Sequence, residues 1–141
     1  MNHDQWKKLS YKQRRIKVAK LRGYCVKKSA FFITNPEYGY QLVYPNGLRS
    51  SAAFGSEDEV WRMCSSEYPD YLFDLNAMHE VWTACIEPND TLIEQFALKL
   101  ERVCRVEWRE NNKSITWFFG KLDNATAAQR AEAFVLTMEP E

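Results

Sequence analysis

Residues 30–54 read "AFFITNPEYGYQLVYPNGLRSSAAF". Three short runs stand out: "AFFIT" (30–34), "YQLVY" (40–44) and "LRSSAAF" (48–54). The first two are rich in aromatic and β-branched residues, which suit a pleated, half-buried surface. Between the runs lie "NPEYG" and "PNG", residues that favour tight turns. The pattern predicts a two- or three-stranded antiparallel meander. Helical patterns surround it on both sides, so these strands decide between an all-helical fold and a mixed one.

Working outward, Ser10 and Gln13 have capping-box spacing, and Gly23 suits a helix stop, which predicts a helix over about residues 11–22. Its apolar residues do not gather on one side, so it is expected to pack weakly and to be largely solvated. Ser56 and Glu59 open a short helix through about Ser65. Asp74 caps a helix over about 75–86, and Thr91 with Glu94 caps another to about Val103. The latter carries a clean stripe of Leu92, Ile93, Phe96, Leu100 and Val103. "CRVEWRE" (104–110) alternates apolar and polar as a half-buried strand does, and "SITWFFG" (114–120) is its expected partner across "NNK". Thr126 and Gln129 cap a last helix with Ala127, Ala131, Phe134, Val135 and Met138 on one side. The expected fold class is α+β: an antiparallel β-sheet flanked by α-helices, an α/β/α sandwich. A single domain is expected over residues 1–141, with a basic N-terminal helical segment at 1–28.

The chain is 45% hydrophobic and 14% aromatic, enough for a substantial core. A chain of this size buries roughly 68–70% of the surface it would expose unfolded. No apolar run is long enough to span a membrane. The start "MNHDQWKKLS" lacks the apolar stretch of a secretory signal, so a cytoplasmic location is expected. Cys25, Cys64, Cys85 and Cys104 are nowhere closer than 19 residues, without the close pairs of a zinc site. They are expected to be reduced thiols, mostly buried.

A formal net charge of zero hides strong polarity. Ten basic residues against one acidic residue, Asp4, give residues 1–28 a net charge of +9, and the remainder is −9. That polarity implies electrostatic binding, or a basic arm folded against an acidic body.

"DLNAMHEVWTAC" (74–85) sets His79 beside Glu80 with Cys85 further on. On a helix at about 100° per residue, the two side chains diverge by about 100° and cannot share a metal or form a dyad. Thr83 stands where a zinc-protease helix needs a second histidine. His79 falls on the edge of a core stripe of Leu75, Met78, Trp82, Cys85 and Ile86. It is expected to be partly buried and bonded to a backbone carbonyl or to Asn76. No phosphate-binding loop, dinucleotide fingerprint or nucleophile elbow is present. The carboxylates Glu57, Asp58 and Glu59 sit where they oppose a helix dipole. The expectation is a protein that is not an enzyme and has no cofactor, metal or catalytic residue.

Three stretches carry a resemblance: "YKQRRIKVAKLRGY" (11–24), "YPDYLFDLNAMHEVW" (68–82) and "ATAAQRAEAFVLTM" (125–138). In this order they resemble the opening, middle and end of small phage and prophage proteins similar to the phage sandwich family. There, an antiparallel sheet lies between helices. The resemblance implies origin and fold rather than activity. The chain departs from it at Arg14, Arg15, Lys17, Lys20 and Arg22, where relatives are often neutral or acidic. Residues 26–67 also form a longer segment than expected.

The first function expected is that of a phage accessory protein that binds a host protein or an anionic small molecule. One role is counter-defence by sequestering a nucleotide signal. Such a pocket needs cations for phosphate and aromatic faces for bases. The candidate ligand-binding residues are Arg14, Arg15, Lys27, Lys28, Tyr38, Tyr40, Tyr44 and Arg49. Two alternatives stay open. One is nucleic-acid binding through the basic segment, with Tyr11 and Tyr24 stacking on bases. The other is homo-oligomerisation of basic arm on acidic body.

Overall fold

The structure is a computed structural model and describes residues 1–29, 39–110 and 125–140, with the side chains of residues 107–110 outside the description. The fold is α+β, as expected. In chain order the described elements are α1 (His3–Lys8), α2 (Tyr11–Arg22), β1 (Cys25–Lys28), β2 (Tyr40–Val43), α3 (Glu57–Met63), α4 (Leu75–Val81), α5 (Asp90–Glu110) and α6 (Ala127–Met138). A π-helical turn, Trp82–Ile86, extends α4. Contacts divide the chain into two compact units: Met1–Val18 with Asp70–Glu141, and Ala19–Pro69. Because the division falls inside α2, the basic segment belongs to both. Its last residues, Cys25–Lys28, form a strand rather than helix.

In the second unit, β1 pairs antiparallel with β2, with Cys25 opposite Val43 and Lys28 opposite Tyr40. Of the expected meander, "YQLVY" forms β2. "LRSSAAF" makes only isolated bridges, Val43 with Arg49 and Tyr40 with Phe54. "AFFIT" lies outside the described residues. The strand at Cys25–Lys28 escaped the sequence reading because two lysines in four residues look solvated; both are exposed. Gly23 has φ +121°, and a Cβ there would meet Pro45 Cβ at 3.4 Å, so glycine satisfies both the helix stop and the close approach. Ser56 caps α3 by accepting from the Glu59 N–H. The Glu59 carboxylate reaches one residue further back, to the Gly55 N–H, at 3.3 Å. Val60 and Trp61 of α3 are buried, and α3 packs against β2. Tyr24 packs on Tyr44 and Tyr68 at 5.9 and 6.2 Å between ring centres, and Tyr68 packs on Trp61 at 5.6 Å.

The first unit is built around α5 and α6, its most extensive helix pair. Thr126 and Gln129 form the expected capping box of α6. The expected one-sided stripe is a correction: α6 is buried nearly all round, including Gln129, Glu132 and Thr137. Alanines at 127, 131 and 133 permit that closeness. A helix buried on every side lies inside its unit rather than on its surface.

α5 brings the largest correction. "CRVEWRE" is helix, not strand: α5 runs unbroken from Asp90 to Glu110. No glycine, proline or cap separates Val103 from Cys104, and extending a formed helix is cheaper than stopping it. Phe96, Leu100, Val103 and Cys104 are all buried, so the core stripe continues at helical spacing. The expected partner strand at 114–120 lies outside the described residues. Asn89, not Thr91, caps this helix, accepting from the Leu92 N–H at 3.2 Å.

α2 starts and stops as expected, with the Ser10–Gln13 capping box formed. It is not largely solvated. Val18 and Ala19 are fully buried, and Arg14, Arg15, Ile16 and Lys17 are half-buried. Within the first unit, Arg15 pairs with Asp70 at 3.6 Å and Lys17 with Glu139 at 2.9 Å. Within the second, Lys20 pairs with Glu57 at 3.6 Å and lies 5.5 Å from the Trp61 ring. Low apolar clustering therefore misled: the helix buries aliphatic stems and pairs its charged heads.

α1 is held to α6 by His3, whose Nδ1 contacts the Glu132 carboxyl. Burial pushes the Glu132 carboxyl up from its ordinary value of 4.5, while His3 pulls it down less strongly. A raised pKa means that the folded state holds the proton more tightly than the unfolded state does. Glu132 therefore contributes its full stabilisation below pH 4.5 and loses it as pH rises through the folded value. In Glu132→Gln, stability is expected to vary less with pH over that window. Urea midpoints of the two proteins across acid to neutral pH test this, and parallel profiles would refute it.

Candidate functional site

A cavity of about 500 Å³ lies wholly within the first unit. Three elements build it. α4 with its π-helical turn supplies Leu75, Asn76, Met78, His79, Val81, Trp82 and Ile86. α5 supplies Phe96, Ala97 and Leu100, and α6 supplies Arg130 and Phe134. The volume falls in the range of small-molecule sites, as does the composition of apolar walls with a few polar groups.

Local sequence explains how each wall is held. The Asp74 side chain accepts from the Asn76 and Ala77 N–H groups at 2.9 and 3.2 Å, fixing the first turn of α4. The widened turn closes with Glu87 N–H donating to the Trp82 carbonyl at 2.9 Å. Such π turns are rare and often mark functional sites. Trp82 packs on Phe96 at 5.1 Å between ring centres, making an aromatic floor. Arg130 Nε donates to the Ala125 carbonyl at 3.0 Å, which orients the guanidinium just after the Thr126 cap.

His79 is exposed at this cavity rather than partly buried in the core. The helical wheel also misplaced Leu75, which is 50% exposed. Met78 and Ile86 are buried as expected, and Ala77 and Val81 join them. The core side of α4 is thus rotated away from Leu75, leaving Leu75, Asn76 and His79 to line the cavity. Sequence reading missed the site because its walls combine α4 and α5 with α6, which lies well beyond them in the chain.

The candidates read from composition lie elsewhere. Arg14 is half-buried, donates to the Trp6 and Lys7 carbonyls at 3.1 and 3.0 Å, and stands 5.4 Å from the Trp6 ring. Arg15 pairs with Asp70. Both belong to the first unit. Lys27, Lys28, Tyr40, Tyr44 and Arg49 belong to the second. There the register sets Lys28 opposite Tyr40, and Arg49 donates to the Lys28 carbonyl at 3.0 Å. Tyr44 donates its phenol hydrogen to Glu67, which pushes its pKa up to about 12, with burial adding to the effect. Tyr38 lies outside the described residues.

No group of three or more His, Cys, Asp or Glu side chains that could hold a metal occurs among the described residues. Cys64 and Cys104 are buried and Cys25 and Cys85 half-buried. Burial pushes the Cys64 thiol up, as does Glu67, which disfavours the reactive thiolate. No described helix is long and apolar enough to cross a membrane. Comparison with protein-family models, curated proteins and solved structures finds no match for this chain.

Proposed function

We propose that this chain is a small phage-type accessory protein of the host cytoplasm that acts by binding, not catalysis. Its ligand is a flat molecule with an acidic group, and nucleotide immune signals belong to that class. The reading rests on one observation: a cavity of about 500 Å³ with apolar walls that include Trp82 and Phe96 also holds Asn76, His79 and Arg130. The ring of the ligand would lie on the apolar walls near Trp82 and Phe96. Its anionic group would meet the pre-oriented Arg130 guanidinium, with Asn76 and His79 as further polar contacts.

Native mass spectrometry with a mixed pool of cyclic and linear nucleotides tests this. One nucleotide per chain is expected. Arg130→Gln should weaken binding at least tenfold, because a hydrogen bond to a charged group contributes about 1.5–3 kcal/mol. Lys27→Gln and Arg49→Gln should leave binding unchanged. No mass addition, or addition that survives Arg130→Gln and falls with Lys27→Gln, would overturn the cavity as the site.

A further inference from the structure

A second cleft, about 330 Å³, lies in the first unit between the start of the chain, α5 and α6. Like the first cavity it is mainly apolar, but it holds three cations where the first holds Arg130. Lys99, Arg102 and Arg105 line it from α5, and Val103, Val106 and Leu136 supply an apolar floor. The three cations recur every third residue, so they share one side of the helix over about 9 Å. Arg105 is engaged by Glu101. Lys99 and Arg102 have no ion pair among the described residues. Two uncompensated cations beside an apolar floor attract an anion more strongly than they would in open solvent.

A further group points to a ligand. His3 also lines this cleft, and its Nε2 is buried without a hydrogen-bond partner among the described residues. Its other ring nitrogen is held by Glu132. A buried polar atom without a partner is costly, and an acceptor placed there would remove the cost. With Nδ1 held by Glu132, an N–H at Nε2 is placed to donate to an incoming anion.

We propose that this cleft binds the phosphate group of a phosphorylated small molecule. Lys99 and Arg102 neutralise the phosphate, and His3 supplies a further donor. The apolar floor takes the body of the ligand. The site is separate from the cavity of α4, α5 and α6 and does not depend on its occupancy. Its cations lie in the acidic remainder of the chain, where overall composition hides them.

Inorganic pyrophosphate isolates the phosphate part of this recognition, since it has no ring to enter the aromatic cavity. Titration into the full chain, followed by amide NMR, is expected to give saturable shifts confined to Asn2, His3 and Lys99–Val106. Lys99→Gln with Arg102→Gln should weaken binding at least tenfold. Arg130→Gln should leave it unchanged, separating this site from the first. Shifts spread along residues 7–28, or none up to millimolar pyrophosphate, would overturn the proposal. Unchanged affinity in the double variant would do the same. Lys99 is half-buried and Arg102 exposed, so the double variant is expected to fold, and its amide spectrum verifies this directly.

Discussion

Phe134→Ala is expected to lower the stability of the first unit by about 3–5 kcal/mol. Phe134 is 0% exposed on α6, whose other neighbours in the chain are buried as well. Truncation removes the transfer energy of the ring and leaves a void that the surrounding helices fill only in part. Phe134 also lines the 500 Å³ cavity, so the void would merge with an existing space instead of closing. Urea denaturation of wild type and variant measures the loss as a fall in midpoint at unchanged slope. Phe134→Leu keeps most of the volume and should cost less than about 1.5 kcal/mol. Equal stability of Phe134→Ala and wild type would contradict the central place of α6 in its unit.

Asp70→Ala is expected to cost about 2 kcal/mol. Its carboxylate accepts from the Tyr11 hydroxyl at 2.8 Å to each oxygen and from the Leu72 N–H at 3.3 Å. It also lies 3.6 Å from Arg15 Nε, and the Arg15 side chain is only 17% exposed. Removing the carboxylate therefore strips a partner from a largely buried cation, which is worse than losing an exposed pair. Because Asp70 itself is 39% exposed, solvent offsets part of the loss. Tyr11→Phe removes only the hydroxyl contacts and should cost about 1 kcal/mol or less. A thermal-denaturation series of the two variants and their combination gives the coupling. If Asp70→Ala costs less than Tyr11→Phe, the helix is not anchored through Asp70.

Both predictions concern segments that the sequence showed clearly as elements and less clearly as partners. Caps were legible. Ser10–Gln13, Ser56, Asp74 and Thr126 each begin a helix where expected, since a cap is a local bond between residues a few positions apart. The α+β class was legible too, from "YQLVY" and the turn "PNG", where Gly47 has φ +86°. Residues 104–110 were misread because seven residues of alternation fit a strand locally, while the uninterrupted helix before them decides their state. The failure at α2 has a different origin. A helix whose cations pair with Asp70, Glu139 and Glu57 looks solvated when only its apolar residues are weighed.

The cavity shows the same limit. Asn76, His79, Trp82 and Arg130 carry no spacing rule, because three helices bring them together and no local pattern records that meeting. The sequence by itself determined the mixed class, the caps at Ser10, Ser56, Asp74 and Thr126, and the basic start of the chain. These rest on hydrogen bonds and charges between near neighbours. Only the tertiary structure decided that part of the basic helix is spent on internal ion pairs, that His79 lines a cavity, and that Lys99 and Arg102 share a cleft. Those outcomes depend on which helix faces are buried, and burial is set by packing between distant segments.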